Sequence, residues 1–246
     1  MAVGYRADIR EFRAAIAKGF TVKDKLVGSD HASGEIQETR VLNRILRFKA
    51  EGWEYEADQR HAELIVRGLC LEKAKSVKTP GEEIPTWKMD EDERPIEKEQ
   101  ITRFRMLAAR ANYLASDRPD IQYAVKECCR GMAAPEVRHW NMLKRLARYL
   151  LGRPRMVWEY RWQGEEQVKG YSDSDWAGCK RAARSTSGRV IMRGDHHVKS
   201  WSVTQKRVTL SSAEAELGAL VKTSTEVIGI LQMAEGLGRI STAEVF

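Results

Sequence analysis

The order of sequence patterns in the last third of the chain constrains its fold more than any other feature. Four short segments rich in β-branched and aromatic residues follow one another from Met156: MVWEYRW, VKGYSDS, GRVIMRG and VKSWSVT. A segment with helical spacing comes next, SSAEAELGALVKTSTEVIGILQMAEGLG, long enough for roughly seven turns. Several strands closed by a helix predict an α+β unit in which the helix packs on a mixed sheet. The apolar positions at helical spacing are Leu217, Leu220, Val221, Ile228 and Leu231.

A hairpin followed by a helix is predicted nearer the N-terminus. The residues of WEYEA, 53–57, alternate between large or apolar and acidic, which is typical of a half-buried strand. The preceding VLNRILRFK is predicted as the partner strand, with Glu51 and Gly52 in the turn. Asp58 is typical of an N-cap, and the helix that follows carries Ala62, Ile65 and Leu69 on one face.

An acidic segment separates this region from the rest of the chain. The stretch GEEIPTWKMDEDERPIEKEQ contains 8 acidic and 3 basic residues and two prolines. Such a composition favours solvation over burial in a core. We therefore predict a linker at residues 82–100 and a domain boundary within it.

Helices are predicted from residue 101 to residue 152. Ser116 or Asp117 can cap a helix whose first turn contains Pro119. Pro135 opens a second helix, EVRHWNMLKRLARYLLG, and Gly152 ends it. Its apolar stripe is formed by Trp140, Leu143, Leu146 or Ala147, and Leu150.

Positive charge is concentrated in these predicted helices. Residues 101–162 hold 13 Lys and Arg against 5 Asp and Glu, whereas the whole chain has a net charge of +7. A localised basic segment indicates either a polyanion-binding surface, most often for nucleic acid, or an ordinary solvated helix face. The candidate phosphate-contacting residues lie opposite the apolar stripe, and both interpretations stay open for them: Arg138, Lys144, Arg145 and Arg148.

Cysteine usage and hydropathy predict the compartment. The four cysteines form no CxxC pair, which argues against a zinc ribbon or a disulfide framework. The first twenty residues lack the apolar segment of a signal peptide, and no apolar run has the length of a transmembrane helix. We therefore expect an intracellular protein of the cytoplasm and/or nucleus, neither secreted nor bound to a membrane.

Two carboxylates are candidates for metal-dependent chemistry. Asp173 lies at the end of a predicted strand, and Glu216 lies early in the long helix, so the two can converge in a sheet-plus-helix unit. Hydrolysis of a phosphodiester benefits from divalent cations held by clustered carboxylates. The spacing alone is weak evidence, because Asp173 and Asp175 can equally shape a turn while Glu216 is solvated. Consecutive His196 and His197 point to opposite faces of a strand and are poor joint ligands.

Several motifs, in order and spacing, resemble the RNase H domain of copia-type retrotransposon Pol polyproteins. They are GYSDSDWAG, RSTSGRVIM, VKSWSVTQ and LSSAEAE. Upstream, NYLASDRPDIQYAV and HWNMLKRLARYLLG are similar to the helices that join reverse transcriptase to RNase H, and residues 40–79 are similar to the end of the polymerase domain and its thumb. The resemblance implies a reverse-transcriptase end at 1–81, the acidic linker at 82–100, basic connecting helices at 101–155 and a truncated RNase H-like domain at 156–246.

The same resemblance implies the chemistry. The parent activity is hydrolysis of RNA in RNA–DNA hybrids with Mg²⁺ or Mn²⁺, and the family's first two catalytic, metal-binding carboxylates correspond to Asp173 and Glu216. Asp175 belongs to the motif but would only set a turn. The family's third and fourth carboxylates have no counterpart, since Glu244 stands in an unmatched context, and the polymerase motif is also absent. We expect lost or weak activity, unless a partner chain or dimer supplies the missing elements. The alternatives are a non-catalytic nucleic-acid-binding module and an inert retroelement relic.

Overall fold

The computed structural model describes residues 4–30, 32, 34–82, 93–164, 167–179 and 182–246. Within these ranges the chain forms six helices and eight strands, which confirms the predicted α+β class. In chain order the elements are α1 (Arg6–Ala17), β1 (Glu38–Val41), β2 (Arg44–Lys49), β3 (Gly52–Glu56), α2 (Gln59–Gly68), α3 (Lys98–Ala115), α4 (Pro119–Cys129), α5 (Val137–Gly152), β4 (Val157–Arg161), β5 (Val168–Cys179), β6 (Arg184–Arg193), β7 (His196–Thr204), α6 (Ser212–Gly236) and β8 (Ala243–Val245). None of the described helices combines the length and apolar character needed to cross a membrane.

The predicted hairpin is part of a larger antiparallel sheet with the order β1-β2-β3-β4. The segment VLNRILRFK was predicted as one strand, but Leu42 and Asn43 adopt positive φ angles of 50° and 65° and form a turn between β1 and β2. Two consecutive left-handed residues give the turn that matches strand twist in a two-residue hairpin. The next turn contains Ala50 and Glu51, because Gly52 already pairs with Lys49.

Strand β4 lies in this first sheet, although its sequence suggested the later unit. It pairs antiparallel with β3, where Tyr55 faces Trp158 and Trp53 faces Tyr160. Cross-strand aromatic pairs stabilise a sheet. A period-2 pattern identifies a strand but not its partner, so the sequence could not show that residues 157–161 pair with a strand about a hundred residues earlier.

Helices α2 to α5 share one hydrophobic core that crosses the predicted domain boundary. Ile65 and Val66 of α2 pack in the same cluster as Phe104 of α3. Residues 83–92 of the predicted linker lie outside the described residues, but its last part is structured, because Ile96 is buried and α3 begins at Lys98. The predicted apolar stripe of α5 is buried in this core: Trp140, Leu143, Leu146, Ala147 and Leu150.

Asp117 connects the first sheet to the helices and does not cap α4. Its carboxylate accepts hydrogen bonds from Arg44 Nε and from the Tyr55 hydroxyl, both at 2.7 Å. Arg118 occupies the N-cap position of α4, and Pro119 is the first helical residue. The prediction that Ser116 or Asp117 caps α4 was therefore wrong, since the Asp117 carboxylate instead accepts hydrogen bonds from the charged Arg44 of β2 and from the Tyr55 hydroxyl of β3.

The second sheet has the order β7-β6-β5-β8, with β5, β6 and β7 antiparallel and β8 parallel to β5. Helix α6 connects β7 to β8 and packs on the sheet through small residues, among them Ala215, Ala219 and Thr223. This close approach depends on Gly170 of β5, where a Cβ would contact Thr223 and Val227 at 2.9 Å.

The apolar positions expected to pack on the sheet lie mainly elsewhere on α6. Leu217, Val221 and Ile228 are more than half exposed, Leu220 is 36% exposed, and Leu231 alone contacts the core beside β5. The periodicity correctly located the helix, but it could not show that backbone proximity would select the alanine face for burial.

Replacing Arg189 of β6 by methionine is expected to stabilise the protein. Arg189 is 8% exposed, lies over the Trp201 ring at 5.5 Å, and its Nε has no hydrogen-bond partner among the described residues. Burial lowers the pKa of this guanidinium, which reports an unfavourable site for charge. Removing the charge should outweigh the lost cation–π contact and raise the free energy of unfolding by about 1 kcal/mol.

Urea denaturation with an unchanged m-value measures this gain. The matched control is Arg184→Met, at an exposed position of the same strand, which should change stability by less than about 0.5 kcal/mol. A lower urea midpoint for Arg189→Met would contradict the assignment of Arg189 as a buried charge whose desolvation exceeds its attraction to Glu226.

Candidate functional site

Asp173 lies on β5 directly opposite Gly188 of β6 and is exposed. Side chains alternate along a strand, so Asp173 projects from the face of β5 opposite to that of Ser174. Ser174 is buried, with 8% of its surface accessible. No side chain stands across from Asp173, because Gly188 has none, and a Cβ built there would meet no atom within 4 Å.

Glu216 lies in the second turn of α6, close to the same part of β5. Ser211 caps the helix by accepting a hydrogen bond from Glu214 N at 3.2 Å. From this position the Glu216 carboxylate accepts a hydrogen bond from the backbone N–H of Ser174 at 3.1 Å. The structure therefore brings Glu216 to the backbone position that immediately follows Asp173.

This hydrogen bond lies where strand β8 has ended. Ser172 N donates to the Phe246 carbonyl oxygen at 2.8 Å, and the next N–H on that edge of β5 belongs to Ser174. Glu216 thus accepts a hydrogen bond from a backbone N–H on this edge of β5.

Acting together, the Asp173 and Glu216 carboxylates would suit a single hard cation better than a pair of cations. Two carboxylates with remaining water ligands suit Mg²⁺, whereas a pair of cations needs more carboxylates. Within the described ranges, no cluster of three or more His, Cys, Asp or Glu side chains could hold a metal ion. Glu244 pairs in register with Lys169, four residues before Asp173, which places it about 13 Å away along the strand.

Asp175 shapes a β-bulge within β5, where the sequence suggested a turn after the strand. The register with β6 shifts between Asp175 and Cys179, and Ala177 has a φ of 52°. The Asp175 carboxylate occupies the space that a Cβ at position 178 would fill, which explains Gly178. The bulge also directs Trp176 toward the α6 side, where its indole N–H donates to the Thr209 carbonyl oxygen at 3.1 Å.

Gln205, just after β7, is a site residue that sequence reasoning missed. Its amide nitrogen lies 3.1 Å from Ser174 Oγ, 2.9 Å from Ser187 Oγ and 2.8 Å from the Ala215 carbonyl oxygen. These atoms belong to β5, β6 and α6. The residue ends the VKSWSVTQ motif, but nothing in its local pattern indicates contacts with three other elements.

The predicted phosphate-contacting arginines of α5 have partners within the protein. Arg138 forms an ion pair with Glu136 at 2.7 Å, and Arg145 forms one with Glu82. Arg148 Nε donates to the Lys75 carbonyl oxygen at 2.7 Å. Lys144 lies over the Trp140 ring, 5.9 Å from its centroid. The three arginines therefore hold flanking segments against α5, and their exposure to an external polyanion is reduced.

Another group of exposed cations lies at the end of the second sheet from which the Gln205 side chain reaches α6. Arg184 begins β6, and Lys206 and Arg207 follow Gln205 after β7; we call these three residues the basic rim. They are adjacent in space because Gln205 N donates to the Ser185 carbonyl oxygen at 2.8 Å. The sequence contained the signal in the pair Lys206-Arg207, which the larger charge of residues 101–162 obscured.

His196 and His197 make packing contacts at the junction between β4 and β7. The His196 ring lies between Gln163 Nε2 at 3.0 Å and the Arg161 carbonyl oxygen at 2.8 Å. The His197 ring stacks on Trp158 with centroids 4.5 Å apart, and burial lowers its pKa. Both rings therefore contribute to the packing of β4 against β7.

The chain thus combines a helical core with two small sheets, and the second sheet carries exposed Asp173 next to Ser174, whose backbone N–H donates to Glu216. The chain is 39% identical over 138 residues to the retrovirus-related Pol polyprotein from transposon RE2 of Arabidopsis thaliana, and the match covers 56% of this chain. About half of the chain is therefore related to the copia-type retrotransposon Pol polyproteins. The matched region spans 9% of the RE2 polyprotein.

Shorter relatives also match about half of the chain. An uncharacterized mitochondrial protein of Arabidopsis thaliana is 37% identical over 125 residues, which cover 50% of this chain and 52% of that protein. The secreted RxLR effector protein 161 of Plasmopara viticola is 37% identical over 111 residues, which cover 45% of this chain and 78% of that protein. No family model and no solved structure matches the chain.

Proposed function

We propose that the chain is a reverse transcriptase/RNase H fragment of a retrotransposon polyprotein, and that Asp173 and Glu216 are the remaining part of an RNase H-type site. The observation that carries this proposal is the approach of Glu216 to the residue after Asp173, with a hydrogen bond of 3.1 Å to Ser174 N. Relatives named as Pol polyproteins support the parent activity, hydrolysis of RNA in RNA–DNA hybrids.

The carboxylate pair would hold Mg²⁺ or Mn²⁺ through hard oxygen ligands. When bound, such a cation activates water and stabilises the leaving oxygen of a phosphodiester. Glu216 is positioned by its hydrogen bond to Ser174, and Asp173 is accessible to solvent and substrate. Because no third carboxylate joins them among the described residues, hydrolysis by this chain alone is proposed to be weak or lost.

Cleavage of a labelled RNA–DNA hybrid in Mg²⁺ or Mn²⁺ tests the catalytic part of the proposal. The wild-type chain should show little or no cleavage above the Asp173→Asn, Glu216→Gln double variant. Robust cleavage that this double variant abolishes would show a complete site and overturn the proposed loss of activity. Robust cleavage that it leaves intact would overturn the assignment of both residues.

Nucleic-acid binding without catalysis is the second candidate function, and the basic rim favours it. Arg184, Lys206 and Arg207 are exposed, and Trp176 beside them is 50% exposed. Cations that contact phosphates next to an aromatic ring are typical of binding surfaces that track a backbone without reading sequence. We therefore place the proposed nucleic-acid contacts on this rim in preference to the paired arginines of α5.

Removing the basic rim should weaken binding and its dependence on salt. The triple variant Arg184→Ala, Lys206→Ala, Arg207→Ala tests this. The magnitude of the slope of log K against log salt should decrease by about 2–3, because each phosphate contact contributes about 0.7–0.9. Fluorescence anisotropy with a labelled hybrid at several salt concentrations measures this slope.

The control is the Arg145→Ala, Arg148→Ala variant, which removes two cations that have partners within the protein. It should leave the slope nearly unchanged. If the control lowered the slope and the rim variant did not, the nucleic-acid surface would lie on α5, as the charge distribution first indicated.

A further inference from the structure

The Gln205 side chain joins the backbone segments of both carboxylates. Its amide nitrogen is within hydrogen-bond distance of Ser174 Oγ, of Ser187 Oγ and of the Ala215 carbonyl oxygen. Ser174 follows Asp173 on β5, and Ala215 precedes Glu216 on α6. The contacts therefore reach the immediate neighbour of each member of the pair.

The surroundings of Gln205 leave its oxygen partners few alternatives. Ser174 and Ser187 are 8% and 0% exposed, so their hydroxyls are largely shielded from water. An amide NH₂ has two hydrogens, and the three oxygens at 2.8–3.1 Å therefore share them. Loss of this group would leave two buried hydroxyls poorly satisfied, whereas the Ala215 carbonyl oxygen would keep its bond within α6.

The backbone of Gln205 is fixed independently of its side chain. Gln205 N donates to the Ser185 carbonyl oxygen at 2.8 Å, which continues the β6–β7 ladder by one residue. The side chain thus extends from a position anchored on the sheet to the first turns of α6. Because its backbone is fixed and its amide reaches acceptors on three elements, the Gln205 side chain links β5, β6 and α6.

We propose that Gln205 is the positioning residue of the two carboxylates. It fixes the distance between the first turns of α6 and β5, so that the Glu216 carboxylate can accept the hydrogen bond from Ser174 N. The inference rests on the proposed function for its significance, since it assigns a role toward that same pair. Its physical content, the dependence of the Glu216–Ser174 hydrogen bond on Gln205, concerns this chain alone.

Amide hydrogen exchange of Ser174, followed by NMR, tests this dependence without metal, hybrid or activity. The Ser174 amide hydrogen should exchange about tenfold faster in Gln205→Ala than in wild type, because a hydrogen bond to a charged acceptor is lost. Glu216→Gln, which replaces the charged acceptor by a neutral one, should also raise the exchange rate of the Ser174 amide hydrogen. In the Gln205→Ala background, Glu216→Gln should add little further change.

The matched control is Gln122→Ala. Gln122 of α4 also uses its amide nitrogen to bridge two elements, through the Ala115 and Ser200 carbonyl oxygens at 3.1 and 2.9 Å. Its loss should lower global stability without selectively accelerating exchange at Ser174. If Gln205→Ala folds poorly, Gln205→Met preserves the side-chain length without the donor and serves in its place.

Unchanged Ser174 protection in the Gln205 variant, or equal loss of protection in Gln122→Ala, would overturn the inference. Failure of hybrid cleavage would not, because the exchange experiment contains no substrate or cation. Conversely, suppose that Ser174 exchanges faster and that cleavage is unaffected by substitution of Asp173 and Glu216. The link through Gln205 would then be supported and the proposed site would be rejected.

Discussion

Replacing Arg118 by leucine should lower the free energy of unfolding by about 3 kcal/mol. Arg118 is 1% exposed, and its guanidinium binds both carboxylate oxygens of Asp120 at 2.9 and 2.7 Å. It also donates to the carbonyl oxygens of Arg153 and Pro154, which follow α5. The substitution leaves a carboxylate and two carbonyl groups without this donor. This loss in the free energy of unfolding lies at the low end of the range for a buried ion pair, since the Asp120 side chain is 26% exposed.

Chemical denaturation at several pH values measures this effect. Burial opposes ionisation of Asp120, but the hydrogen bonds and charge of Arg118 outweigh it and lower the pKa of Asp120. A lowered carboxyl pKa stabilises the folded state above the unfolded pKa of about 3.9, and this stabilisation is lost as the pH falls through the folded value. The difference between wild type and Arg118→Leu should therefore narrow below about pH 4.

A double variant separates the lost ion pair from lost packing. Asp120→Asn removes the carboxylate charge and still accepts the hydrogen bond that the Tyr149 hydroxyl donates at 2.8 Å. The double variant Arg118→Leu, Asp120→Asn should have a higher free energy of unfolding than Arg118→Leu alone. Equal stability of the two variants would show that the uncompensated carboxylate is not the cause.

Gly52→Ala should be comparably destabilising, at about 3 kcal/mol, because it acts on the pairing of β3 with β4. Gly52 has a φ of 152°, which residues with a side chain rarely adopt. A Cβ there would overlap the Tyr160 carbonyl oxygen on the partner strand. Backbone cannot move aside as a flexible side chain can, so the first residue pair of the β3–β4 ladder should separate.

Urea denaturation followed by tryptophan fluorescence measures the change, since Trp53 and Trp158 lie on the two affected strands. Gly188→Ala is the matched control, because a Cβ at this strand position meets no atom within 4 Å. It should cost less than about 1 kcal/mol. A small effect of Gly52→Ala would mean that β4 does not depend on this close approach to β3.

Local features of the fold could be predicted, because they depend on neighbouring residues. Asp58 caps α2 through its bond to Arg60 N, and the stripe of α5 is buried as its spacing indicated. The partner of β4 and the buried face of α6 could not be predicted. Both depend on contacts between distant residues, the β3–β4 aromatic pairs and the approach of α6 to Gly170.

The candidate site shows the same limit. Asp173 and Glu216 could be selected only through motif resemblance, since sequence spacing does not show that α6 reaches the edge of β5. Charge counts located a basic region but not the partners of its arginines, and Arg145 proves to pair with Glu82. Gln205 has a role that arises entirely from three other elements, so no local pattern could indicate it.

The pairing of β3 with β4 also determines the order in which this chain can fold during synthesis. About a hundred residues, including helices α2 to α5, separate the two strands. Because synthesis adds roughly 5–20 residues per second, one edge of β3 stays unpaired for about 5–20 s. The helices form much faster than this from local contacts. The helical core is thus expected to assemble beside an open strand edge, which is where a nascent chain of this family is most exposed to misassembly.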